Sequence, residues 1–319
     1  MSSDSSAAGR TGAGGTSRLP LRSLLFVPGN RTEWLAKAEA AGADAAILDL
    51  EDAVPEQDKA AACAEVGEAV AARGAHAEDA GRMALFVRVN ALESWAAAEA
   101  LRTVAGPGLA GVLLPKVRDK EDVRFADRLL GWCEREEGLA PGSVSLVPLL
   151  ESAASLRSAY EIGSAASRVA YLGALTGAGG DVERAVGYQW SPEGLETLAL
   201  RSRVLLDVRA SGAPHPVAGL WTRIDDLDGL RRFAEQNRSL GYTGMMAIHP
   251  SHVPVVNDVF SPGAAELDRC RRLVAAVREA QSKGRGAVAF EGQMVDEAMA
   301  ATAQQTLDLE RRRARAASA

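Results

Sequence analysis

The chain has 319 residues, 47% hydrophobic and 24% charged, with a formal charge of −6 at pH 7. That length suits two ordinary domains or one large α/β barrel, and the acidic balance argues against a general nucleic-acid binder. Three scattered cysteines, Cys63, Cys133 and Cys270, offer neither a disulfide framework nor a zinc motif and fit a reducing, cytoplasmic setting.

Residues 1–18, MSSDSSAAGRTGAGGTSR, are Ser, Gly and Ala with almost no bulky apolar side chain and read as a disordered leader. No window has the length or hydrophobicity of a membrane span. Eight short apolar runs then follow in order: 23–29, 44–50, 84–90, 111–117, 145–152, 168–174, 216–224 and 244–250. Helical patterns separate them, near 32–41, 57–73, 119–137 and 192–211. Strands alternating with helices, each strand run continuously apolar, predict an α/β fold: a (β/α)8 TIM barrel over residues 19–260. An open doubly wound sheet is the competing architecture, but no GxGxxG follows the first run. Residues 261–319 lie beyond the eighth unit. They read as a helix near 262–284, a Gly-rich link and a further helix, which together could form a lid or a subunit contact.

In such a barrel the chemistry gathers where strands end. The polar residues there are Asp49, Glu51 and Asp52 after the second run, Arg88 and Asn90 on the third and Lys116 on the fourth. Glu151 ends the fifth, Asp181 lies beyond the sixth, and His249 is on the eighth. Any one acid at a strand end is most simply a helix cap. Five carboxylates at one mouth repel, and a divalent cation is the simplest compensation. Without an HxxxH or a Cys/His cluster zinc is disfavoured, whereas two carboxylates completed by water and substrate oxygens suit Mg2+. Glu151 and Asp181 end neighbouring units and can approach one ion. The glycines in LGALTGAGGD (172–181) stand in neither a Walker nor a Rossmann order. They read as a loop delivering Asp181, with Gly179 and Gly180 free to adopt positive φ or to approach a bound substrate.

Eight segments occur in order: RSLLFVPGNR, GADAAILDLEDAVPEQDKAAA, VRVN, GVLLPKV, PLLES, SPEGLETLALRSRVLLDVRASG, DDLDGLRRFAEQNRSLGYTGMMAIHPSHV and FEGQMVDEAM. Together, over roughly residues 20–307, they resemble the citrate lyase β-subunit-like branch of the HpcH/HpaI aldolase family. The resemblance implies a TIM barrel, trimeric or hexameric, that uses Mg2+ to make or break a carbon–carbon bond between an acyl-CoA and a small 2-oxo or 2-hydroxy acid. It places metal ligands at Glu151 and Asp181 and the substrate arginine at Arg88. Glu51 and Asp52 would hold metal waters or orient the arginine. Arg22 would contact the CoA moiety or pair with those acids. Asp296 would be the proton-transfer residue of a lid that reaches a neighbouring subunit. His249 would be a buried structural histidine. The chain departs from the family pattern in a longer path from Gly173 to Asp181 and in Ala185, which stands where the family has an acid. A CoA-ester thioesterase on the same site, a pyruvate aldolase without CoA, and a non-catalytic partner subunit remain open beside the lyase.

Overall fold

The computed structural model describes residues 20–75 and 83–318, so the leader expected at 1–18 lies outside the described residues. Eight parallel strands form one sheet: β1 Ser23–Pro28, β2 Ala45–Asp49, β3 Ala84–Arg88, β4 Gly111–Leu114, β5 Ser145–Pro148, β6 Tyr171–Leu172, β7 His215–Ala218 and β8 Gly244–Ala247. Their order is β5-β4-β3-β2-β1-β8-β7-β6, and parallel bridges Leu146↔Val169 and Leu150↔Ala174 join the two ends into a barrel. Seven of the eight predicted runs contain their strand, and β7 begins at His215, one residue ahead of its run; the strands are shorter because the pairing stops before the run does.

The helices are α1 Leu35–Ala40, α2 Lys59–Gly74, α3 Trp95–Val104, α4 Lys120–Glu136, α5 Ala153–Arg157, α6 Ala159–Gly163, α7 Asp181–Val186, α8 Leu198–Ser211, α9 Leu227–Leu240, α10 His252–Val259, α11 Ala264–Ser282 and α12 Glu297–Ser318. Among the described residues no helix is long and apolar enough to cross a membrane.

Side-chain parity decides which residues fill the barrel and which face the helices, because alternate strand residues point to opposite sides. Leu24, Ile47, Phe86, Leu113, Val147, Tyr171, Val217 and Met246 form the interior cluster. Leu25, Leu48, Leu85, Val87, Val112 and Leu146 belong to the shell beneath the helices. The interior is full: the Phe86 and Tyr171 rings meet edge-on at 5.6 Å, and a Cβ on Gly111 would lie 2.6 Å from the Phe86 ring. The same parity carries one step further to Phe26, Asp49 and Arg88, which close the interior at the C-terminal end.

The C-terminal part differs from the expected link and helix. Ala287–Phe290 (β9) and Gln293–Asp296 (β10) pair as an antiparallel hairpin. Its two-residue turn, Glu291-Gly292, has φ of +49° and +79°, the backbone a tight hairpin requires. A Gly-containing pair between two short apolar stretches was the overlooked signal. α11, α12 and the hairpin share a separate small core of Leu273, Val274, Val277, Val295, Ala300, Ala303 and Leu307. They pack chiefly on one another. Near its end α12 returns to the barrel, where Arg313 donates to the carbonyls of Pro20 and Phe260.

Candidate active site at the barrel mouth

Arg88 ends β3 directly beside Asp49 at the end of β2, and the two are register partners. Its Nε donates to Asp49 Oδ1 at 2.7 Å and its Nη2 to Asp49 Oδ2 at 2.6 Å, a two-pronged pairing suited to a planar guanidinium. Nη1 lies 2.8 Å from Glu51 Oε2 and 3.3 Å from Asp52 Oδ2. The guanidinium stands over the Phe26 ring, 5.1 Å from its centroid. Asp49 in turn accepts the backbone N–H groups of Glu51 and Ala53, so the turn that carries the two further acids is tied to the same carboxylate. Burial works against the Arg88 charge, but Asp49, Glu51 and Asp52 outweigh it, and the guanidinium holds its proton more firmly than usual.

Lys116 follows β4 with φ +52°. Its ammonium lies 2.6 Å from Glu51 Oε1 and 3.8 Å from Asp52 Oδ1, while its backbone N–H donates to Glu151 Oε2 at 2.7 Å. Burial raises the Glu51 carboxyl above the usual carboxylate range, against the pull of Lys116 and Arg88. Burial also pushes Glu151 up to about 7. The Lys116 N–H and Arg88 oppose the rise, and the negative charge of Glu51 adds to it. The mouth therefore gathers four carboxylates (Asp49, Glu51, Asp52, Glu151) around two cations.

Glu151 opens the turn into α5, and Asp181 is the first residue of α7; α5 and α7 pack together and so bring the two segments near each other. Asp181 pairs with Arg184, an exposed side chain one helical turn on. The loop before it is a braced ledge. A Cβ on Gly173 would sit 1.8 Å from Val217 O, and one on Gly219 2.5 Å from Thr176 N, so two loops run backbone to backbone. Tyr188 OH donates to Gly177 O at 3.0 Å, and Glu183 accepts the N–H groups of Gly179 and Trp190. Gly179 has φ +72°, a conformation that favours glycine, but its N–H is already taken by Glu183. Gly180 caps α7, with open space where a Cβ would be.

These residues fit a divalent cation. Glu151 has one oxygen held by Lys116, no second hydrogen-bond partner among the described residues, and a proton affinity raised chiefly by burial, which outweighs the nearby Lys116 and Arg88. The Asp181–Arg184 pair is exposed and worth at most about 1 kcal/mol, so it is easily exchanged. Among the described residues no three His, Cys, Asp or Glu side chains form a closed cage. Mg2+, which keeps several waters and takes substrate oxygens, needs none. Since a cation binds the ionised carboxylate, protons compete below the Glu151 value. Apparent Mg2+ affinity is expected to fall about tenfold per pH unit below pH 7 and to level off above it, as read by calorimetry across pH 5.5–8.5. An affinity flat over that range would remove Glu151 from the cation site.

Two sequence expectations need correction. Arg22 is not at the mouth. It precedes β1 at the opposite end of the barrel, roughly 20 Å away along a six-residue strand. There its N–H and Nε donate to Asp44 Oδ2 at 2.7 and 2.9 Å, Nη2 to Asp44 Oδ1 at 2.7 Å, and Nη1 to Ser261 Oγ at 3.0 Å. Asp44 begins the second unit at that same end, so Arg22 closes the barrel floor. Asp296, expected on an arm that reaches a neighbouring subunit, is exposed on the C-terminal arm, where Oδ1 accepts the Met299 N–H at 3.2 Å and opens α12. His249 is half-buried, bonded through Nδ1 to Ser251 Oγ at 2.7 Å, and the fully buried histidine is His252. Asp49 and Lys116 stood among the strand-end residues without a role. Parity with Ile47 is the signal that would have put Asp49 inside the mouth.

A closed parallel barrel with carboxylates, an arginine and a lysine converging at its C-terminal mouth is the architecture of a barrel enzyme. The chain belongs to the HpcH/HpaI aldolase/citrate lyase family, whose model matches residues 22–250. It is 39% identical to a citrate lyase subunit beta-like protein of Deinococcus radiodurans, covering 91% of this chain and 97% of that one. A (3S)-malyl-CoA thioesterase of Cereibacter sphaeroides is 32% identical, covering 90% and 94%. Among solved structures, CitE of Mycobacterium tuberculosis in complex with magnesium, acetoacetate and coenzyme A superposes with a TM-score of 0.69 at 30% identity, covering 91% of this chain and 98% of that one.

Proposed function

We propose that this chain is a Mg2+-dependent carbon–carbon lyase that cleaves or forms a β-hydroxyacyl-CoA from an acyl-CoA and a small 2-oxo acid. The observation that carries the reading is Arg88, locked by three acids at the mouth beside Glu151, one of whose oxygens is held by the Lys116 N–H. Relatives named as a lyase subunit and as a malyl-CoA enzyme, and a solved relative holding magnesium and coenzyme A, support the substrate class.

Glu151 and Asp181 would hold the cation, which when bound supplies positive charge to the oxo acid's oxygens. A guanidinium has five N–H donors. Asp49 takes two, and Glu51 and Asp52 take Nη1, which leaves one Nη2 N–H for the substrate oxygen that gains charge. Because Asp49 is itself anchored by two backbone N–H groups, the guanidinium needs little reorganisation during the reaction. Asp296 moves the proton at the acyl α-carbon, accepting it in synthesis and returning it in cleavage. On this reading Asp296 acts from the C-terminal arm of another copy, and the working species is a homo-oligomer.

Asp296→Asn is expected to lower turnover about 10²–10⁴-fold with Mg2+ binding intact, the usual worth of a positioned acid–base group. Mixing this variant with Arg88→Lys in dissociated and reassembled oligomers should restore part of the activity, since some mouths would meet an intact arm. A variant with parental turnover would remove Asp296 from the mechanism.

The thioesterase is the second reading, favoured by the Cereibacter relative. Both are tested by giving the protein malyl-CoA and Mg2+. A lyase releases glyoxylate and acetyl-CoA without free thiol, a thioesterase releases malate and free CoA thiol, and neither product pair would overturn the catalytic reading.

A further inference from the structure

Among the described residues, only Lys116 and Glu291 depart from glycine at positive φ, and Glu291 belongs to a tight hairpin turn. Lys116 stands in the turn with Pro115 that ends a barrel strand at the mouth, where glycine would adopt φ +52° at lower cost. A side chain kept in a disfavoured backbone region at a site suggests that both the backbone and the side chain are used. The contacts bear this out. The left-handed turn aims the Lys116 N–H at Glu151 Oε2 (2.7 Å), while the ammonium swings to Glu51 Oε1 (2.6 Å), whose other oxygen meets Arg88 Nη1 (2.8 Å). One residue thus links the carboxylate offered to the cation with the carboxylate that braces the substrate arginine.

We propose that Lys116 is a positioning residue that sorts the acids of the mouth. Its N–H fixes one oxygen of Glu151 and leaves the other for the cation. Its ammonium draws Glu51 toward Arg88 and out of the cation's reach, which keeps coordination positions open for a 2-oxo acid. Without the ammonium, Glu51 is a buried carboxylate with only Arg88 and is free to become a third ligand. The inference rests on the reading of this mouth as a Mg2+ and oxo-acid site.

The test is calorimetric titration of Mg2+, and then of pyruvate into Mg2+-loaded protein, for the parent, Lys116→Met, Lys116→Gly and Lys116→Arg. Lys116→Met is expected to bind Mg2+ about threefold or more tightly, because an added carboxylate ligand raises affinity. It should bind pyruvate about tenfold more weakly. Lys116→Gly keeps the N–H and relaxes the backbone, so it should match Lys116→Met in both titrations while melting no lower than the parent. Lys116→Arg should recover most of the pyruvate affinity. Pyruvate binding within twofold of the parent in both Lys116→Met and Lys116→Gly would overturn the proposal, and so would Mg2+ and pyruvate weakening in parallel. If the parent binds Mg2+ but not pyruvate, the oxo-acid reading fails, and the direction of the Mg2+ change alone decides on Lys116.

Discussion

Replacing Glu151 and Asp181 together by alanine is expected to reduce Mg2+-dependent turnover by about 10³-fold or more, the scale of losing several kcal/mol of charge stabilisation, while the barrel stays folded. The fold survives because neither carboxylate supports the core. Among the described residues the Glu151 carboxylate accepts a single hydrogen bond, from the Lys116 N–H, and Asp181 pairs only with exposed Arg184. The sign of the stability change follows from the raised Glu151 value. A carboxyl that titrates near 7 when folded and near its ordinary value when unfolded favours the folded state only while protonated, and that contribution is lost as pH rises through 7. Without added metal at pH 8 the double variant should therefore melt no lower than the parent. In the parent, Mg2+ raises the melting temperature by binding the native state, and in the variant it should not. A Mg2+-induced rise of parental size in the variant would place the cation elsewhere.

Arg88→Met is expected to affect both stability and activity. Asp49 and Glu51 are 2% and 6% exposed, and removing the guanidinium leaves buried Asp49 without its counterion and Glu51 with Lys116 alone. Breaking a buried pair in this way costs about 3–5 kcal/mol, which thermal denaturation would register as a marked fall in melting temperature. Arg88→Lys separates structure from chemistry. A lysine keeps the charge but cannot span both Asp49 oxygens and still meet Glu51 and Asp52. Its stability should be intermediate, and its kcat/KM should fall about 10²–10³-fold, the usual worth of a preorganised donor to developing charge. Parental kcat/KM in Arg88→Lys would show that the guanidinium serves only to hold its acids.

Much of this molecule is legible in order along the chain. Eight apolar runs mark eight strands because a strand buried on both faces has to be apolar throughout, and that demand is local. The acids and cations at the strand ends are visible for the same reason: the run stops, a polar residue follows, and barrel topology places it at the mouth. Asp49, Arg88, Lys116 and Glu151 could all be picked out in this way. The hairpin at Ala287–Asp296 was equally local, but its signal is a two-residue turn, easily taken for a flexible link.

Pairing was not legible. The family resemblance implied that Glu51 and Asp52 hold metal waters or orient the arginine, and both meet Arg88 Nη1, but only inter-strand register shows that Asp49 is its two-pronged partner. Arg22 lies one residue ahead of a strand whose far end enters the mouth, and only the strand's direction shows that it faces Asp44 on the barrel floor. Asp296 follows the barrel by a helix and a hairpin, and only the packing of α11 on α12 shows that this arm builds a small core of its own. By itself, then, the sequence determined the barrel and the residues that reach its ends, because these follow from periodicity along the chain, while its ordered motifs carried the family resemblance. The tertiary structure decided which charge meets which, and in Lys116 which backbone is strained to do it, because an ion pair depends on register and direction between segments that the chain keeps far apart.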